Sequence, residues 1–212
     1  MKLINYYKLS DYIKYDMDIH PTINEILRIT VSAKDTYPNY ANWFLNKHIP
    51  GIYDGSRDTI IALYEEEIVG IANIKKNQEK KICTLYIKPN FRKNNFGIEL
   101  TQHAIDELEN DKPLITMPTS SIPQFKNIIK RYDWKITDCV KDLYKADTNE
   151  IILNGILLPE EKEIEQEKKI ILTYEKTGDK NLLKLLRNPL KSLFNYYIKD
   201  KKEEKRKKVL SN

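Results

Sequence analysis

Residues 85–100 read LYIKPNFRKNNFGIEL. Leu85, Tyr86 and Ile87 continue a β-rich run that begins at Lys81, and Pro89 ends it because proline cannot donate to a strand ladder. A basic, asparagine-rich turn follows. From Phe96 the apolar positions Ile98, Thr101, Ala104, Ile105 and Leu108 fall on one helix face. Strand, turn and helix start are therefore consecutive. A helix start presents unpaired N–H groups and a positive dipole end, which suits an anion. Arg92 and Lys93 add positive charge, and Asn94 and Asn95 tolerate left-handed backbone. Gly97 lets a ligand approach the main chain closely. Composition alone marks this turn as a candidate anion site.

Working outward, Thr59–Tyr64 and Ile68–Ile74 read as a hairpin bent at Glu65-Glu66-Glu67, with Lys81–Lys88 as the next strand. Downstream, Pro113–Met117 reads as a strand and Pro123–Arg131 as a helix with proline in its first turn. Trp134–Val140 and Leu143–Tyr144 read as further strand segments. A first strand is expected near Lys2–Leu9. Residues 22–47 carry helix-period positions broken by Pro38, and Ile49–Ser56 reads as a loop. This order predicts one α/β layer domain of the α+β type.

The chain has 212 residues, 41% hydrophobic and 32% charged, which suits one packed domain with an appendage. No run of about 18 apolar residues occurs, so no membrane span is expected. The N-terminus lacks the apolar stretch of a signal peptide. The two cysteines, Cys83 and Cys139, have apolar neighbours and are expected as buried thiols in a reducing cytosol. Together these readings predict a cytoplasmic protein. His20, His48 and His103 are too widely spaced for a metal pattern, so no metal is expected.

After about Gly155 the composition shifts. The expected division is a domain over 1–155 and a helical, lysine-rich extension over 156–212. Leu182, Leu186, Leu190, Leu193 and Tyr197 form an apolar stripe that needs a covering surface, either the main domain or a second copy in a homodimer. Of the net charge of +5, much lies in residues 199–208, with seven Lys/Arg against three acids. Nucleic acid is thus conceivable at that tail but not favoured, since the acids are interspersed.

The stretch from Asp58 to Tyr144 resembles the GNAT N-acetyltransferase domain. The turn is similar to that family's cofactor motif, Arg/Gln-x-x-Gly-x-Gly/Ala, with Arg92 at its first position and Gly97 at its last. Asn95 departs from the middle glycine. The resemblance implies a mixed, mostly antiparallel central sheet flanked by helices. It also implies acetyl-CoA in a cleft where Ile82–Lys88 and Pro113–Met117 splay. In that cleft the backbone of Leu85 and Ile87 would meet the pantetheine arm. Arg92, Lys93, Asn94, Asn95, Phe96, Gly97 and Ile98 would cradle the pyrophosphate.

The implied activity is acetyl transfer from acetyl-CoA to a primary amine on a small molecule or protein. The alternative is a non-catalytic module of the same fold that binds CoA or a partner. Relatives often protonate the leaving thiolate with a tyrosine on the helix after the second splayed strand. Alignment puts Ile129 there, so Tyr132, three residues on, is the candidate acid. Relatives often place a glutamate base on the first splayed strand, where this chain offers Cys83 and Thr84. Glu65, Glu66 and Glu67 are the nearest acids by sequence and read as a solvated turn.

Overall fold

In a computed structural model the described residues are 4–15, 17–77, 79–92, 94–157 and 177–178. By compactness the chain divides into Met1–Ile156 and Leu157–Asn212. The apolar stripe and the basic tail expected of the C-terminal extension lie outside the described residues.

The first unit holds β1 (Ile4–Lys8), β2 (Arg57–Tyr64), β3 (Glu67–Lys75), β4 (Lys81–Ile87), β5 (Leu114–Pro118), β6 (Ile136–Lys141) and β7 (Asn149–Leu153). They form one sheet in the order β1-β2-β3-β4-β5-β7-β6, in which only β4 and β5 run parallel. The helices are α1 (Leu9–Lys14), α2 (His20–Ile29), α3 (Tyr40–Trp43), α4 (Ile49–Tyr53), α5 (Phe96–Leu108) and α6 (Ile122–Arg131). This is the α+β layer domain read from the element order, with the mixed, mostly antiparallel sheet that the family resemblance implies.

Both faces of the central strands are covered, which is why β2 and β3 read as nearly unbroken apolar runs rather than alternating ones. Successive side chains still point to opposite faces. Ile60 joins a cluster with Leu100, Ala104 and Ile128 of α5 and α6, while its neighbour Ile61 joins Leu9 of α1, Ile26 of α2 and Phe44, which follows α3. Gly70 is needed where β3 passes β4, since a Cβ there would lie 2.4 Å from the Ile87 side chain and 2.9 Å from the Tyr86 carbonyl.

Three sequence readings are corrected. Ile49–Tyr53 is helical, not a loop. The chain runs from Trp43 through a π-helical turn, Phe44–His48, straight into α4. Pro50 sits in the first turn of α4, where its missing N–H costs little. Leu143–Tyr144 belong to a connection, not a strand. Asp142 and Asp147 take left-handed backbone there, and the Asp142 carboxylate accepts from the Asp147 N–H at 2.6 Å. The strand lies beyond it, as β7. Finally, Cys139 is exposed and Cys83 only half-buried.

Among the described residues, no helix is long and apolar enough to cross a membrane. Among them also, no group of three His, Cys, Asp or Glu could hold a metal ion.

Candidate active site

The parallel pair β4–β5 is joined only at Lys81↔Leu114 and Ile82↔Ile115. Beyond that point β4 stays with β3 and β5 stays with β7, so the two strands part. The β3–β4 register steps from Asn73↔Thr84 to Ile74↔Ile82, which makes Cys83 an extra residue in β4. Such a bulge bends its strand and ends pairing. Main-chain groups of Cys83–Ile87 on the β5 side are thereby left without a ladder partner in β5. A gap with free strand edges can take an extended ligand carrying its own amides.

The end of β4 runs into a 3-10 turn, Pro89–Phe91, and then into α5. Asn95 caps α5 with left-handed backbone (φ 63°), a region where asparagine is among the better-tolerated residues. Its carbonyl accepts from the Ile98 and Glu99 N–H groups at 2.8 and 3.0 Å. Asn94 and Asn95 are exposed, while Phe96 turns into the core beside Phe91. Lys93 lies outside the described residues. Arg92 folds back on the strand: Nε donates to the Ile87 carbonyl at 2.9 Å, and the guanidinium lies 5.8 Å from the centre of the Tyr86 ring. The Ile87 carbonyl therefore already has a partner. A Cβ on Gly97 would make only ordinary contacts, 3.8 Å to Ile128 and 3.9 Å to Ile87. Packing within the protein does not require glycine at that position.

Tyr132 caps the C-terminus of α6 and stacks on Trp134 at 5.4 Å. Its hydroxyl lies 3.2 Å from the Ile98 carbonyl and 3.1 Å from the Gln102 side chain, both on α5. Burial raises its pKa, so the phenol is protonated at neutral pH. Ile129 packs against the core cluster shared by α5 and α6. Of the hairpin acids, Glu67 is ion-paired to Lys88 at 2.7 Å, and Glu65 holds the left-handed bend.

Sequence reasoning missed the acid beside the parting strands. Register places Lys81, Leu114, Thr116, Pro118 and Glu150 on one face of the sheet, because paired residues share a face and alternate residues repeat it. That face carries a buried polar cluster. Lys81 Nζ donates to the Tyr144 hydroxyl at 3.2 Å, and that hydroxyl is 3.4 Å from Thr116 Oγ1. Tyr37, from the helical layer, meets Tyr144 edge-on at 5.5 Å. Glu150 is 0% exposed, and neither carboxylate oxygen has a hydrogen-bond partner. Burial pushes its pKa up to about 7, while the Lys81 charge pulls the other way.

A second polar chain crosses the same face. Thr59 Oγ1 donates to Asn73 Oδ1 at 2.9 Å, so it must accept from His48 Nε2 at 2.8 Å. Asn73 Nδ2 in turn donates to the Tyr40 hydroxyl at 3.1 Å, which neighbours Thr84 of β4. Burial, aided by the Arg57 charge, pushes the His48 pKa down to about 3, so this histidine is neutral and structural.

The sequence model of the acetyltransferase (GNAT) domain matches residues 33–142, more than half of the chain. The chain belongs to the GNAT acetyltransferase family. A GNAT-family protein from Desulfovibrio desulfuricans is 12% identical, with 71% of this chain and 97% of that one covered and a TM-score of 0.55. A GNAT-family acetyltransferase from Bacillus cereus is 14% identical, with 74% and 99% covered and a TM-score of 0.53. The PaiA N-acetyltransferase from Thermoplasma acidophilum, solved with coenzyme A, is 14% identical, with 72% and 99% covered and a TM-score of 0.51. At such identities the likeness is one of GNAT fold. No curated protein matches the sequence. The matched residues include the parting strands and the turn into α5, but end before Tyr144 and Glu150.

Proposed function

We propose that this chain is an acyl-CoA-dependent N-acyltransferase that moves an acetyl group from acetyl-CoA to a primary amine. The observation that carries the reading is the parting of β4 from β5 beside a left-handed turn at the start of α5. The residues present fit the cosubstrate. Leu85 and Ile87 would border its pantetheine arm, with Arg92 giving up the Ile87 carbonyl where the arm needs it. Arg92 to Ile98 would surround its pyrophosphate at the helix start, and Gly97 has room that no protein atom fills. When bound, acetyl-CoA supplies an activated acyl group as a thioester. The chain's own part is to position the amine, exclude water and move protons. In this reading Tyr132 returns a proton to the leaving thiolate, which requires its hydroxyl to exchange its α5 partners for that sulfur.

The acceptor is an amine-bearing small molecule or protein, in line with the activity named for the PaiA N-acetyltransferase. A ligand that binds only the folded state must raise the melting temperature. CoA and acetyl-CoA should therefore each stabilise the protein at millimolar concentration. No shift with either would count against the reading. Binding without turnover of acetyl-CoA in the presence of amines would instead indicate a non-catalytic CoA-binding module.

A further inference from the structure

We propose that Glu150 is the general base that deprotonates the acceptor, a primary amine presented as its ammonium, on the β4–β5 face lined by Lys81, Thr116, Tyr144 and Tyr37. This inference rests on the acyltransferase reading above. A fully buried carboxylate with neither oxygen hydrogen-bonded is a costly arrangement. The nearby polar groups pair elsewhere: Lys81 with Tyr144, and Tyr144 with Thr116. Both Glu150 oxygens are thus left with unused acceptor capacity. The place is also specific. Glu150 pairs with Pro118, and Thr116 is the first β5 residue past the last β4 partner, so Glu150 lies one strand over from the gap, level with the part of β5 that has left β4.

The charged and titratable groups that face it are Lys81 from β4, Tyr144 from the β6–β7 connection and Tyr37 from the helical layer. Burial raises the pKa of Tyr37, so its hydroxyl stays protonated at neutral pH. Lys81 supplies one positive charge, which limits how far burial lifts Glu150. An ammonium brought against Glu150 would meet an acceptor for its proton, while the Tyr144 ring already carries the Lys81 cation 5.8 Å from its centre.

In the step itself, one ammonium N–H bond breaks and its proton forms an O–H bond on Glu150. The electron pair stays on nitrogen, giving a neutral amine and a neutral carboxylic acid. When the amide forms, the C–S bond breaks and the second N–H proton ends on the thiolate sulfur. A carboxylate at its ordinary pKa is a feeble base towards an alkylammonium of pKa about 10. One lifted to about 7 by burial narrows that gap while remaining substantially ionised at neutral pH.

The test uses the full chain, acetyl-CoA, and n-butylamine and phenethylamine as probe acceptors. Isothermal titration first measures acetyl-CoA affinity for the parent, Glu150→Gln and Glu150→Asp. Transfer rates are then followed from pH 5.5 to 9 at saturating acetyl-CoA. Expected is a parent kcat/KM that rises through a limb near pH 7. In Glu150→Gln the rate falls by about 10²- to 10⁴-fold and this limb disappears, with acetyl-CoA affinity unchanged. Glu150→Asp, which keeps the carboxylate, recovers part of the rate. A readout independent of turnover is the carbon-13 NMR titration of glutamate side chains. The resonance that vanishes in Glu150→Gln, or moves out of the glutamate region in Glu150→Asp, should titrate near neutral pH.

An unchanged rate and limb in Glu150→Gln would overturn the proposal. So would a glutamate resonance that titrates in the ordinary carboxylate range. A parent that binds acetyl-CoA but acetylates neither amine would also overturn it, whereas failure to bind acetyl-CoA would bring down the acyltransferase reading itself.

Discussion

Glu150 stands directly opposite Pro118 in the β5–β7 ladder, at the end of β5 that has already left β4. An acid is thereby placed one strand over from the gap, level with its open end. The same sheet face holds Lys81 at the closed end of the gap, so the charge on one strand tunes the acid on another.

That coupling has a sign. Burial raises the Glu150 pKa, and the Lys81 cation opposes the rise by favouring the carboxylate. Lys81→Met removes the opposing charge and keeps most of the buried stem. The lower-pH limb of the rate profile should then move upward by about one pH unit, since opposite charges at close range shift pKa values by roughly 1–3. A limb that stays in place in Lys81→Met would show that Lys81 and Glu150 are not coupled.

The buried acid should also make stability depend on pH. The folded-state pKa, about 7, is above the ordinary carboxylate value of 4.5. The folded state therefore binds more protons than the unfolded state between those values. Stability from this group is complete below about pH 4.5 and is lost as pH rises through about 7. Above that, Glu150→Gln should be more stable than the parent by about 3 kcal/mol, an order-of-magnitude conversion of the shift. Chemical denaturation of both proteins at pH 5 and pH 8.5 checks this, and a difference that does not grow with pH would contradict it.

The turn into α5 was legible in the sequence because its signals are local. Pro89 stops a strand, Asn95 takes left-handed backbone, and Gly97 opens a helix whose apolar face is visible at Ile98, Thr101, Ala104 and Ile105. Glu150 was not legible, because its burial depends on β7 inserting between β5 and β6. That pairing is long-range, and residues 149–153 contain only five positions in which an alternation could show. Leu143 and Tyr144 drew the strand assignment to the wrong side of the Asp142–Asp147 turn. The helix at Ile49–Tyr53 was hidden for a different reason: Pro50, Gly51 and Gly55 look like loop residues unless the π-helical turn before them is known.

Gly97 offers a test in which binding and stability separate. Its Cβ position meets protein atoms only at ordinary contact distances. Valine also has a better helix propensity than glycine by a few tenths of a kcal/mol. Gly97→Val should therefore melt within a few degrees of the parent when no ligand is present. Its affinity for CoA should fall by about tenfold or more, a loss of about 1.4 kcal/mol, because branched carbons would stand where the pyrophosphate approaches the main chain. Titration calorimetry measures this directly, and parental affinity in Gly97→Val would place the cofactor elsewhere.

Tyr132 bears on the last proton. Its hydroxyl is protonated at neutral pH and needs no tuning to donate, yet it lies 3.2 Å from the Ile98 carbonyl, on α5. As the thiolate acid it must leave that carbonyl during turnover. Tyr132→Phe keeps the ring stacked on Trp134 and deletes only the oxygen. Loss of the α5 hydrogen bond should cost about 1 kcal/mol of stability whichever role holds. Turnover separates the two. As the acid, its removal lowers kcat by about 10²-fold with CoA affinity intact, the low end for one acid–base group. The measurement is kcat for Tyr132→Phe and the parent at saturating acetyl-CoA with the same probe amine. A lower melting temperature at an unchanged kcat would leave Tyr132 as a link between α5 and α6 and make solvent the source of the thiolate's proton.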